Sequence, residues 1–180
     1  MLFEKVGKVN TEKSIELALS AAKEQGINDI VVASVTGYSA QMLKNTGHNV
    51  VCVTHAFGYI TPGENELAAD VRTELEDGGI NILTGAHVLS GAERSLSTQF
   101  SGVYPVEVMA FTLRMFGEGT KVCVECAAMA LDAGLVPAGK RIIAIGGTGR
   151  GADTVAVLTP SYTCSILKTK IHELICKPAF

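Results

Sequence analysis

The sequence predicts a three-layer α/β fold, in which a mixed and mainly parallel sheet lies between two layers of helices. Short apolar, β-branched runs alternate with helical segments, and strands separated by helices pair in parallel through right-handed crossovers. Of the 180 residues, 47% are apolar, which is enough for one hydrophobic core. We therefore interpret residues 1–180 as a single α/β domain.

The first half of the chain begins with a helix that Thr11 can cap and that Gly26 ends. A nearly continuous apolar segment at 29–35 is typical of a strand buried on both faces. A short helix predicted over 39–45 then leads to a second strand of the same kind at 49–54.

The middle of the chain is mainly helical. Residues 66–76 predict a helix, and residues 80–84 predict the third strand. Pro105 favours the first turn of a helix over 106–116, and residues 122–133 predict another helix.

The last third contains a fourth strand at 141–145, a glycine-rich loop at 146–151 and a fifth strand at 154–158. The few residues between these two strands are too short for a crossover, so the fifth strand is predicted to be antiparallel to the fourth. A final amphipathic helix is predicted over 165–176.

Charge and composition argue against several classes of function. The net charge of -3 and the isoelectric point near 5.8 are unlike those of a nucleic-acid-binding surface. The sequence has no apolar run of about 18 residues and no signal-peptide core, so we expect a cytoplasmic protein with no membrane contact. The charged fraction of 18% is below the usual value of about 25%, from which we expect a homo-oligomer.

The five cysteines do not indicate a disulfide scaffold, because their number is odd and the chain is rich in apolar residues. Cys123 and Cys126 form a C-x-x-C pair on the apolar stripe of a predicted helix, which favours buried structural thiols over a redox pair. No second cysteine pair or histidine cluster accompanies them, so no metal site is predicted.

Glycine is unusually frequent, at 19 residues, and one glycine-rich segment carries a candidate site. Residues 147–152 match the dinucleotide fingerprint, but a strand-like segment follows where the fingerprint requires a helix. Either the segment is a plain hairpin turn, or its backbone N–H groups and one arginine form an anion nest. The candidate ligand residues there are Gly147, Thr148, Gly149, Arg150 and Gly151.

A second glycine-containing segment, residues 134–141, approximates a phosphate loop. It precedes a strand and has Arg141 where a phosphate loop has Ser or Thr, so we interpret it as a helix end and a turn.

A second candidate site follows the first predicted strand. Thr36, Gly37, Tyr38 and Ser39 join the end of a buried strand to the start of a helix, where N–H groups and hydroxyls favour an anion. The alternative is that Ser39 simply caps the helix.

Four polar residues follow the other parallel strands. His55 and His87 each come directly after a predicted strand, at the edge of the sheet where α/β proteins bind ligands. Glu93 and Arg94 lie just beyond the third strand and either orient a ligand or pair with each other.

Residues 30–40, IVVASVTGYSA, followed by a helix and by VVCVT at 50–54, resemble the C-terminal α/β domain of pyruvate kinase. The resemblance covers roughly residues 11–160. Over its whole length the chain resembles stand-alone archaeal proteins built on this domain. The segments that carry this resemblance are the one that begins at Thr11, residues 85–95 and residues 146–154.

This resemblance implies a five-stranded sheet of order 3-2-1-4-5 with strand 5 antiparallel. Strands 1 and 4 are then neighbours at a topological switch point, where the loops 36–39 and 146–151 converge. It does not imply pyruvate kinase activity, which belongs to a (β/α)8 barrel of about 250 residues.

The archaeal relatives imply FMN as the cofactor, with a flavin-dependent redox reaction to consider. The segments shared with them add four residues to the predicted cofactor site: Gly85, Gly146, Asp153 and Thr154. The aromatic residues that could stack on a flavin are Tyr38, Phe57, Tyr59 and Phe100.

Two alternatives stay open: a non-catalytic module that senses a sugar phosphate or a nucleotide, and a phosphosugar enzyme without flavin. The sequence identifies no catalytic residue.

Overall fold

The computed structural model, which describes residues 1–179, has a seven-stranded sheet of order β1-β7-β6-β5-β2-β3-β4. Strands β2 to β5 are parallel to one another, β6 is antiparallel to both of its neighbours, and β1 is parallel to β7. The strands are β1 (Leu2–Phe3), β2 (Asp29–Ala33), β3 (Asn49–Val53), β4 (Ile80–Leu83), β5 (Ile142–Gly146), β6 (Thr154–Thr159) and β7 (Lys170–Pro178). Residue 180, the last of the predicted domain, lies outside the described residues.

The α/β class and the mixed sheet are confirmed, whereas the predicted strand number and full order are wrong. The five predicted strands correspond to β2, β3, β4, β5 and β6, and they are consecutive in the sheet as β4-β3-β2-β5-β6. The antiparallel β5–β6 hairpin is also confirmed, with Gly146 opposite Thr154. Strands β1 and β7 extend the sheet beyond β6 and were not predicted.

The predicted final helix over 165–176 is wrong: a 3-10 helix covers Thr163–Lys168 and β7 follows it. Ile171 and Ile175 are four residues apart, a spacing that suits one face of a helix and equally one face of a strand. Without β7, the backbone N–H and C=O groups at the edge of β6 would be unpaired. Pairing with β7, in which Cys176 lies opposite Val155, satisfies them and favours a strand over a helix here.

The helices lie on both faces of the sheet. They are α1 (Thr11–Gln25), α2 (Tyr38–Gln41), α3 (Ala69–Asp77), α4 (Gly91–Phe100), α5 (Pro105–Arg114) and α6 (Glu118–Asp132), with a 3-10 turn at Lys8–Asn10. Helices α1, α2 and α3 pack on one face, and α6 packs on the other with α5 beside it. The helix predicted over 39–45 is only four residues long, and α4 was not predicted.

The core is mainly aliphatic and forms one cluster on each face of the sheet, with Phe3 as a buried aromatic residue. Ile30, Val32, Ile143 and Ile145 belong to the cluster under α1, whereas Val31 belongs to the cluster under α6. In the part of the chain that the structure describes, no helix is long and apolar enough to cross a bilayer.

Cys123 and Cys126 are free thiols on the buried face of α6, as predicted for structural thiols. Burial raises the pKa of both thiols above the ordinary cysteine value, which makes them poor nucleophiles.

The segment 134–141, interpreted above as a helix end and a turn, joins the end of α6 to the start of β5. Gly134 has a φ of 71° and donates its N–H to Leu131 O. This connection lies at the opposite end of the sheet from the carboxyl ends of the parallel strands.

Candidate functional site

A cavity of about 510 Å³ opens at the carboxyl ends of β2, β3 and β5. Strands β2 and β5 are neighbours whose connecting helices lie on opposite faces, so the cavity occupies the topological switch point of the sheet. Its volume lies within the range of about 300–1,000 Å³ that is usual for small-molecule sites.

Ten of the 17 predicted ligand residues line this cavity: Thr36, Tyr38, Ser39, His55, His87, Arg94, Gly147, Gly149, Arg150 and Gly151. Seven do not: Gly37, Gly85, Glu93, Gly146, Thr148, Asp153 and Thr154. Of the aromatic residues considered for stacking, Tyr38 and Tyr59 line the cavity, and Phe57 and Phe100 do not. A second depression, of about 520 Å³, lies beside Phe57 and Arg72, and none of the 17 predicted ligand residues lines it.

The glycine loop 147–151 is a tight turn that admits no side chain at its first position. A Cβ on Gly147 would lie 2.2 Å from Gly151 O, and a Cβ on Gly151 would lie 2.4 Å from Lys8 Cα. Gly149 and Gly151 also have positive φ values, of 69° and 83°. The loop therefore packs against the N-terminal segment, which places Lys8 on the cavity wall.

Asp153 holds this loop in place and is fully buried. Its Oδ2 accepts the backbone N–H groups of Gly7 (2.7 Å) and Thr148 (3.2 Å), and its Oδ1 accepts the Thr154 hydroxyl (2.8 Å). Thr11 adds a further tie, because its Oγ1 accepts the N–H of Ala152. Asp153 thus organises the site from behind the cavity wall.

Close packing explains why Gly146 and Thr154 are also absent from the wall. A Cβ on Gly146 would lie 2.5 Å from Gly119 O, and a Cβ on Gly119 would lie 2.1 Å from Thr154 Oγ1. The first turn of α6 therefore rests directly on the end of the β5–β6 hairpin.

The loop after β2 presents Thr36 and Ser39 to the cavity, whereas Gly37 packs away from it. A Cβ on Gly37 would lie 2.8 Å from Val71 Cγ1, and its φ is 83°. The N–H of Ser39 donates to Ser34 Oγ at 3.2 Å, so an internal partner already caps this turn. Because α2 is only four residues long, its dipole contributes less than the sequence suggested.

The histidines after β3 and β4 come together with a tyrosine. The ring centroids of His55 and His87 are 5.6 Å apart, and that of Tyr59 is 4.3 Å from His55. His55 Nδ1 donates to Glu66 Oε1 at 2.8 Å, and His87 Nε2 donates to Thr54 O at 3.1 Å, because a carboxylate and a carbonyl can only accept. The other nitrogen of each ring has no hydrogen-bond partner among residues 1–179.

The charge state of Glu66 follows from this arrangement. Burial acts to raise the pKa of Glu66, but the hydrogen bond from His55 and the charges of His55 and Arg150 lower it below the ordinary glutamate value. Glu66 is therefore ionised at neutral pH and fixes the Nδ1–H tautomer of His55.

Glu93 and Arg94 do not pair with each other. Glu93 Oε2 accepts the N–H of Glu107 at 2.8 Å, which ties α4 to the first turn of α5, and Arg94 lines the cavity. Gly85 follows β4 outside the cavity, and no atom lies within 4 Å of the position its Cβ would take.

The carboxylates on the cavity wall are paired internally. Glu66 bonds His55, and the other two form ion pairs one helical turn apart, Arg114 with Glu118 (2.6 Å) and Lys121 with Glu125. Three cations, Lys8, Arg94 and Arg150, have no carboxylate within 4 Å in the described part of the chain. The cavity therefore carries an uncompensated positive charge.

The Lys121–Glu125 pair is the most buried of these ion pairs, with 7% and 3% of the side chains exposed. Glu125 Oε1 also accepts the N–H of Leu89 at 2.8 Å, so this carboxylate anchors the segment that leads into α4. Two opposite charges at positions i and i+4 within an apolar helix are the sequence signal that predicts such a pair.

Sequence reasoning missed six charged residues of the cavity wall: Lys8, Glu66, Arg114, Glu118, Lys121 and Glu125. The two helical ion pairs had a readable i,i+4 signal. Lys8 and Glu66 had none, because long-range packing alone brings them to the cavity.

The family model described as pyruvate kinase, alpha/beta domain, matches residues 12–158 of the 180. The chain therefore belongs to the pyruvate kinase α/β domain family, as the resemblance in the sequence indicated.

Proposed function

We propose that this member of the pyruvate kinase α/β domain family binds a phosphorylated ligand, foremost FMN, in the cavity at the switch point. The observation that carries the proposal is the charge balance of the wall. Each wall carboxylate is engaged internally, whereas Lys8, Arg94 and Arg150 form no ion pair with a carboxylate among the described residues and can meet an anion.

The glycine loop supports a phosphate at its end of the cavity. Among the described residues, the N–H groups of Gly149, Arg150 and Gly151 have no acceptor, whereas those of Thr148 and Ala152 are bonded. Successive free N–H groups in a tight glycine turn form an anion nest, to which the Arg150 guanidinium adds a charge.

The side of the cavity that follows β3 and β4 supports a planar, partly apolar group. His55, Tyr59 and His87 form a cluster of rings there, and Val35 and Ile60 also line the wall. An isoalloxazine ring can stack on such rings, so the residues present fit FMN at both ends.

FMN, when bound, would supply redox chemistry that no side chain provides. The chain itself would bind the phosphate, orient the ring and hold a proton on His55 Nδ1 through Glu66. His55 Nε2 would then be the nitrogen available to accept or donate a proton near the ring.

The decisive experiment compares FMN with riboflavin, which lacks the phosphate. We expect the purified protein to be yellow or to take up FMN saturably, with riboflavin binding about ten- to a hundredfold more weakly, the effect of losing charge-assisted hydrogen bonds. A protein that is colourless and stays so in excess FMN would contradict the flavin. Equal binding of FMN and riboflavin would contradict the phosphate site.

A non-catalytic module for sugar phosphates or nucleotides is the second candidate. It is favoured by the exposure of the ring end, where Tyr59 and Ile60 are 50% and 67% exposed, since such a ligand needs only the polar end. Saturable binding of a sugar phosphate that displaces FMN, without oxidation of reduced nicotinamide, would select this function.

A further inference from the structure

Helix α5 presents an apolar face to solvent. Val108, Phe111 and Met115 recur at spacings of three and four residues, so they share one face, and they are 49%, 65% and 73% exposed. This face of a surface helix is ordinarily polar.

The opposite side of α5 is already used by the fold. Ala110 is buried, and Leu113 packs against the core under α6. Arg114 reaches the cavity and pairs with Glu118 while its guanidinium lies 5.1 Å from the Phe111 ring centroid. The helix is thus anchored, and its apolar face is free to meet another molecule.

The segments that flank α5 in the sequence carry further exposed apolar side chains. Phe100 at the end of α4 and Phe116 after α5 are 70% and 53% exposed, and Val103 between the two helices is 85% exposed. With about 150–250 Å² for a whole aromatic side chain, the three phenylalanines alone present roughly 300–500 Å². The exposed aliphatic side chains bring the total towards the roughly 800 Å² that each partner contributes to a stable interface.

We propose that a second copy of this chain covers the α5 face in a two-fold symmetric dimer. Across a two-fold axis a surface meets itself, so a charge near the axis would face its own like charge. The stripe Val108, Phe111, Thr112 and Met115 contains no charged residue, which suits self-association better than recognition of a charged partner. A dimer also accounts for the low charged fraction of the chain, 18%.

The test is the mass of the full chain in solution, measured by light scattering over a wide range of concentration. We expect a mass twice the 18.9 kDa of one chain. Phe111→Glu is expected to weaken the dimer by about thirtyfold or more, the effect of losing an aromatic anchor. The matched control is Leu167→Glu, because Leu167 is 85% exposed near the other end of α6.

Thermal unfolding verifies that both variants fold, which is expected because both side chains are exposed. A wild-type protein that is monomeric throughout would overturn the proposal and leave the face to a different macromolecule. A Phe111→Glu variant that dimerises like the wild type would also overturn it, as would a Leu167→Glu variant that dissociates equally.

Discussion

Two loops at the cavity are held in different ways. The glycine loop 147–151 is fixed by hydrogen bonds from backbone N–H groups in and beside it to the buried Asp153 carboxylate and to Thr11. The loop 55–66 is fixed by the partly exposed His55–Glu66 pair and by a few backbone hydrogen bonds, and its tip is exposed to solvent. A phosphate would therefore meet a preset surface, whereas the rest of the ligand would meet an adaptable one.

The largest effect is expected from breaking the fixed loop. Asp153→Ala leaves two buried donors and one half-buried donor without an acceptor, and we expect a loss of about 3–5 kcal/mol in the free energy of unfolding. Urea denaturation measures it. Asp153→Asn keeps a carbonyl acceptor and should cost less. A loss below about 1 kcal/mol for Asp153→Ala would show that the carboxylate does not hold the loop.

A smaller effect, on binding alone, is expected at the surface of the same loop. Arg150 is exposed, so Arg150→Ala should leave unfolding unchanged and weaken FMN binding by about ten- to a hundredfold. Fluorescence titration measures the dissociation constant. Lys140→Ala removes an equal charge at the opposite end of the sheet and is the control. Equal effects of the two substitutions would indicate a general charge effect and no local site.

The smallest effect is expected in the loop 55–66. Because the folded pKa of Glu66 is lowered, its stabilising contribution is present above the ordinary value of 4.5 and is lost as pH falls through the folded pKa. The free energy of unfolding of the wild type should therefore be higher than that of Glu66→Gln by less than about 1 kcal/mol at neutral pH, and the difference should shrink in acid. Urea denaturation of both proteins at a series of pH values, from neutral to acidic, measures this difference. A pH-independent difference would show that the ionised carboxylate is not responsible.

The positions of the two histidines illustrate what could be predicted from sequence. His55 and His87 follow adjacent parallel strands, β3 and β4, and such strands end at one edge of the sheet. The prediction that both lie at the ligand end required only the short apolar runs that mark the strands. The same reasoning placed Arg150 and Tyr38 at the cavity.

The contacts that were not predicted depend on distance along the chain or on ambiguous patterns. The hydrogen bond between Gly7 and Asp153 joins residues 146 positions apart, and no local pattern indicates it. Helix α4 has only three apolar side chains apart from glycine, Ala92, Leu96 and Phe100, and none of them is buried. Strand β7 shares its isoleucine spacing with a helix, so only the open edge of β6 determines its structure.

The Asp153 clamp has a thermodynamic consequence for any ligand. Ordering a flexible backbone costs about 1–2 kcal/mol per residue, and glycines lose the most freedom. In this chain the glycine loop is ordered when the protein folds, because Asp153 and Thr11 bind its backbone whether or not a ligand is present. Binding there need not overcome the entropy of a loose loop, so a small anion can be held by a few contacts.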